Sequence, residues 1–280
     1  MVDVIPLKYG PIFKRAFSKP AIFRDFVEAV TGVQVNPSQI YTEYQYPERI
    51  GNVDIQYDVF AEDDKQRIIV EIQHVKEEDF FARFLYYHIL GIIQQVGSFE
   101  EYEPPKTVYT IVVLTSVPRD GSIKFSLATH LMEILDELGE RHLIAPHRLI
   151  FVNPRLVNKK TPAAVRPWMD VIEDSLDGKI DENDYQSPRL KELINEIQKS
   201  TMSAEESTAI KDESAWEKAK NRFREEGREE GREDGLEDGR KEGRRKQQEE
   251  TAKLMLKEGL APDVISRTTG LTDEEIQLLT

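Results

Sequence analysis

Residues 67–73 read Arg-Ile-Ile-Val-Glu-Ile-Gln, β-branched and apolar on both faces until Glu71, as expected for a strand inside a sheet that is covered on both sides. Alternation puts Ile69, Glu71 and Gln73 on one face of that strand and Ile68, Val70 and Ile72 on the other. A second β-like run precedes it, and the polar turn Asp63-Asp64-Lys65-Gln66 joins the two into a predicted hairpin over residues 51–73. Helical spacing appears on either side. Residues 11–32 carry Phe13, Phe17, Ile22, Phe23, Phe26, Val27 and Val30, with Pro20 in a first turn and Gly32 at the stop, and predict one or two amphipathic helices. Residues 77–97 give the clearest helix, through Phe81, Phe84, Leu85, Ile89, Ile92 and Val96.

Strands are predicted at residues 39–46, 108–115 and 147–152, whereas residues 125–138 mix strand and helix cues. Short helices around Trp168, Ile172 and Leu190 follow. The expected fold class is therefore α/β, a mixed sheet flanked by helices with a helical C-terminal extension. Four segments are expected: a core over residues 1–155, a helical extension over 156–203 packing on it, a charged spacer over 204–250 and a small tail over 251–280. In the spacer, Gly recurs at every fourth position from 227 to 243 between acids and bases. Opposite charges four apart support an exposed helix, while each Gly weakens it by about 1 kcal/mol relative to Ala. The spacer reads as a solvated, partly helical segment or as a self-association, coiled-coil-like helix. The tail is laid out like a helix-turn-helix, with Thr272 and Glu275 spaced as a capping box. Its last helix carries Asp273-Glu274-Glu275, which phosphates repel, so an interaction or oligomerisation tail is expected there.

Composition narrows the chemistry. The 280 residues contain no cysteine, which excludes disulfides, thiol nucleophiles and thiolate metal sites and suits a reducing cytoplasm. The five His residues show no metal-ligand spacing, and no run is apolar enough to span a membrane. A formal net charge of −14 argues against a general nucleic-acid coat, so any DNA contact must be local and metal-assisted. Asp58 lies thirteen positions before Glu71 with the turn midway, and the hairpin brings them together as D-x(12)-E-x-Q. Two carboxylates supply the hard oxygens and charge that Mg²⁺ prefers, with Mn²⁺ as a substitute. Gln73 would contact the attacking water or the phosphate, and Asp54, on the same face as Asp58, is a reserve metal ligand.

With Asp58, Glu71-Ile72-Gln73, the Phe-Lys-Arg-Ala-Phe segment near the start, the helix bearing Phe80, Arg83, Leu85, Tyr86 and Tyr87, and the Gly- and Glu-rich tail, the chain resembles the PD-(D/E)XK nuclease superfamily. More narrowly it resembles the recombination-promoting nuclease or transposase branch. The resemblance implies a restriction-endonuclease-like core that cuts DNA phosphodiesters with Mg²⁺, with Asp58 and Glu71 as metal-binding acids. It places Gln73 where the superfamily usually has Lys, and Gln supplies no positive charge to a developing phosphorane. Arg83, Tyr87 and Gln94 fall on one helix face, and Arg83 is expected either to bind the scissile phosphate or to pair with nearby acids. The expected protein is a cytoplasmic, DNA-binding endonuclease, oligomeric through its C-terminal region. The alternative is an inactive nuclease-fold scaffold acting through C-terminal protein contacts.

Overall fold

The computed structural model describes residues 1–46, 55–74, 80–96, 102–118 and 121–279. Two compact units result, residues 1–212 and 213–280.

The first unit is built on a six-stranded sheet in the order β2-β3-β4-β5-β7-β6. Its strands are β2 (Ile40–Tyr44), β3 (Tyr57–Glu62), β4 (Gln66–Gln73), β5 (Thr107–Leu114), β6 (Leu127–Leu135) and β7 (Arg141–Val152). β4, β5 and β7 run parallel, and β2, β3 and β6 are antiparallel to their neighbours. A separate pair, β1 (Val2–Asp3) with β8 (Lys179–Ile180), ties the N-terminus down.

One sheet face is covered by α1 (Gly10–Phe17), α2 (Pro20–Thr31), α4 (Arg166–Ser175) and α5 (Pro188–Glu196). Phe13, Phe26, Trp168, Met169 and Leu193 pack there against Val59, Ile68, Val70, Ile111 and Val152 in one cluster. The helices after Asn153 thus share the core of the earlier residues. α1 and α2 are separate because Pro20 opens a new helix after the turn at Ser18, and Gly32 closes the second in a left-handed conformation (φ 74°).

The other face carries, among the described residues, one helix, α3 (Phe80–Ile93), the crossover between parallel β4 and β5. Its inner side buries Phe84 against Val112 and Phe151, and Leu90 and Ile92 against Tyr57, Phe60 and Ile69. Gly91 lets it sit close, since a Cβ there would stand 2.9 Å from Ile69 Cδ1. Its outer side leaves Leu85, Tyr86, Ile89 and Ile93 exposed.

Two regions differ from the sequence expectation. Within residues 125–138 the segment Leu127–Leu135 forms β6, and β7 begins six residues before the predicted 147, so the two form a long hairpin. The predicted spacer lies inside a continuous helix, α6 (Ala204–Lys257). In the second unit, α7 (Pro262–Thr269) and α8 (Asp273–Gln277) complete a small cluster of Ala252, Ile265, Leu271 and Ile276. The expected capping box forms at Thr272 and Glu275.

Candidate active site

The β3–β4 ladder pairs Val59 with Val70 and stops there, one residue short of Asp58 and Glu71. Side chains replace the missing backbone bonds. Asp58 N–H donates to Glu71 Oε1 at 3.1 Å, and Ile72 N–H donates to Asp58 Oδ2 at 3.0 Å. The predicted pair thus meets across the hairpin, and Glu71 is only 5% exposed. On the far side of β3, the register of Thr42 with Val59 and Tyr44 with Tyr57 puts Glu43 opposite Asp58. Three acids therefore occupy one row across the sheet. Glu43 is the only non-glycine residue with positive φ (56°) among the described residues, a conformation that costs on the order of 1 kcal/mol or more for such a side chain.

Electrostatics at this row disfavour negative charge. Burial pushes the Glu71 carboxyl well above the ordinary glutamate range, and the neighbouring Asp58 pushes it further. Burial raises Asp58 too, against the lowering effect of the Ile72 N–H and of Lys14 and Arg83. Asp58 Oδ1 and Glu71 Oε2 accept no hydrogen bond from the described residues. A half-buried Asp58 carboxyl beside the buried Glu71 carboxyl, each with an oxygen left over and neither in a direct ion pair among those residues, fits a divalent cation. A bound cation would remove the like-charge repulsion that burial magnifies.

Cations stand around the pair. Arg83, from the first turns of α3, donates to Gln73 Oε1, while Gln73 Nε2 donates to the His74 carbonyl at 3.0 Å. The Arg83 guanidinium also lies over the Phe84 ring, 4.7 Å from its centroid. Lys14, from α1, binds Glu43 Oε1 at 2.5 Å and is near enough to both Asp58 and Glu71 to lower their pKa values. Tyr87, one turn after Arg83, has its hydroxyl pKa raised by burial and then by Glu71. His74 bonds Thr115 Oγ1 at 3.0 Å, holding β4 to β5.

The structure thus brings together Asp58, Glu71, Gln73, Arg83 and Tyr87. It does not bring Gln94 there. Gln94 lies eleven residues beyond Arg83, about 16 Å along the axis at 1.5 Å per residue. It falls three residues past Gly91, whose carbonyl binds Arg67 at the turn end of the hairpin. Asp54 falls outside the described residues. Lys14 and Glu43 were not singled out in the sequence. The available signal for Lys14 was a cation between two buried phenylalanines in Phe-Lys-Arg-Ala-Phe; Glu43 had none, because its role comes from register.

A sequence model described as PD-(D/E)XK nuclease family transposase matches residues 11–222. The chain belongs to this family. The mixed sheet and flanking helices agree with that nuclease fold. A second model, described as the C-terminal HTH domain of the Rpn/YhgA-like nuclease family, matches residues 245–280, which contain α7, α8 and the end of α6. No curated protein matches the chain. Among the described residues no helix is long and apolar enough to cross a membrane.

Proposed function

We propose that this member of the PD-(D/E)XK nuclease family is a metal-dependent DNA endonuclease that hydrolyses phosphodiester bonds and promotes DNA recombination or the movement of mobile elements. The observation that carries this reading is the Asp58–Glu71 pair, held by the backbone N–H groups of Asp58 and Ile72 and keeping two oxygens with no bond among the described residues beside a cationic rim. Asp58 and Glu71 would hold the Mg²⁺. When bound, the ion supplies an acidified water and positive charge to the phosphate.

The rest falls to the protein's own groups. Gln73 is a positioning residue, since its amide oxygen takes Arg83 and its amide nitrogen is anchored on the His74 carbonyl. Arg83 thereby sits where a phosphate oxygen next to the acids would meet a guanidinium, giving the positive charge that Gln73 lacks. Lys14 adds a second cation on the α1 side. These groups make binding local, in keeping with a strongly acidic chain. The match of residues 245–280 to an HTH domain supports DNA as the partner. Within that segment, however, Glu275 of α8 binds Arg245 at 2.7 Å, and the α8 N-terminus is acidic.

Supercoiled-plasmid nicking tests the proposal. Nicking is expected with Mg²⁺ or Mn²⁺, to stop with a chelator and to fall at least about 10³-fold in Asp58→Ala and Glu71→Ala, the scale of losing a preorganised charge site. Cleavage undiminished in both variants refutes the assignment.

A further inference from the structure

The β6–β7 hairpin outruns its sheet. β7 pairs with β5 only over residues 148–152, yet its pairing with β6 continues to Leu135 and Arg141. Residues 131–145 therefore project as a two-stranded arm without a third strand among the described residues. A lone two-stranded ribbon is marginal in water. This one also exposes apolar side chains on both faces: Ile134 is 54% exposed, Leu135 69%, Leu143 57% and Ile144 60%. Ile144 stands at the register shift that bends the arm. The edge strand, Leu-Ala-Thr-His-Leu-Met-Glu-Ile-Leu, contains none of the Lys, Arg or Pro residues that commonly blunt a free edge.

At its base the arm joins the helix side of the sheet through Met132, which packs on the cluster of Leu90 and Ile92. With Leu138, 80% exposed at its tip, the arm presents five exposed large apolar side chains, a concentration that marks an interaction surface. Two of the arm's acids are satisfied within it. Glu133 pairs with Arg141, and Asp136 binds His142 and the backbone N–H groups of Leu138 and Glu140. Its tip is acidic, which disfavours an anionic membrane surface or nucleic acid. The arm starts at the N-terminal end of β7, and β7 and β4 are both parallel to β5, so the arm lies at the opposite end of the sheet from Glu71.

We propose that a second copy of this chain covers the arm, giving a two-fold dimer whose active sites remain open. Self-association fits because an isologous contact at the β6 edge offers each lone ribbon further strands. This dimer uses the nuclease unit and does not depend on the proposed activity or on the C-terminal region.

The absence of native cysteine provides the test. In the full chain, Ile144→Cys is expected to yield disulfide-linked dimer under mild oxidation, and the exposed control Lys159→Cys to remain unlinked. Leu135→Asp combined with Leu143→Asp is expected to raise the dimer dissociation constant by at least about tenfold in analytical ultracentrifugation. Equal linking at both positions, or a wild-type chain monomeric throughout the micromolar range, overturns the proposal. Should the Asp variant fail to fold, the cysteine comparison decides alone, since it leaves the surface intact.

Discussion

Burying Glu71 beside Asp58 is unfavourable twice over, first through lost hydration and then through like charge. The hairpin tolerates it because each residue gives the other's strand a hydrogen bond that the interrupted ladder would otherwise have made. The same row explains why a chain with Gln in place of the usual Lys retains a rim of positive charge: Arg83 is fixed on Gln73, and Lys14 on Glu43. Arg83→Ala should therefore cost about 10²–10³-fold in plasmid cleavage, the range for losing one charge-stabilising donor, while Mn²⁺ affinity stays within a few fold. Arg83→Lys should recover part of the rate. Equal loss of metal binding and cleavage in Arg83→Ala would show that Arg83 supports the acids instead of the phosphate. Asp58, Glu71 and Gln73 were legible from the hairpin and its alternation, whereas Arg83 and Tyr87 came with the family resemblance and a helical spacing that also admitted Gln94. Lys14 and Glu43 belong to elements whose approach depends on tertiary packing, which no local pattern encodes.

At the scale of elements, α3 is pinned to the sheet by a buried polar contact as well as by apolar packing. His88 Nδ1 and Thr110 Oγ1 lie 2.9 Å apart, and His88 Nε2 is buried with no hydrogen-bond partner among the described residues. Burial, with smaller contributions from His147 and His130, depresses the His88 pKa to about 3. The folded state thus binds fewer protons than the unfolded one between that value and the ordinary histidine pKa of about 6.5. The stability from keeping His88 neutral is fully present above about pH 6.5 and is lost as pH falls, at about 1.4 kcal/mol per pH unit. Chemical denaturation at pH 6.5 and pH 5 should show wild type losing about 2 kcal/mol more than His88→Gln across that window. Parallel loss in both proteins would mean that the imidazole is not titrating.

The long helix α6 makes a second element-scale prediction. A Cβ added at Gly227, Gly231, Gly235, Gly239 or Gly243 meets nothing within 4 Å. Changing all five to Ala should raise amide-exchange protection across residues 220–250, each substitution adding about 1 kcal/mol of helix propensity. Unchanged or lower protection would show that the glycines serve close approach by another helix.

These elements also mark where sequence patterns stop being informative. α1, α2, α3 and β4 each bury a face, so their periodicity was visible. The arm buries almost nothing beyond Leu131, so Ile134, Leu135, Leu143 and Ile144 left no alternation to read, and β7 was detected only where it enters the sheet. α6 was underestimated because its glycines and charges give weak local propensity, even though (i, i+4) pairs such as Lys241–Glu237 and Lys246–Glu242 line it.

For the whole molecule, a net charge of −14 and a nucleic-acid substrate pull against one another. The conflict eases if the most deeply buried acids are the ones neutralised, and if the remaining contacts are made by a few placed cations. The buried pair then serves as a cation site first and as part of a hydrolase second. The most direct measurement is calorimetric titration of the full chain with Mn²⁺ at pH 7.5, comparing wild type with Glu71→Gln. One saturable site is expected in wild type, and its absence is expected in Glu71→Gln. The same binding heat in both proteins would contradict the account.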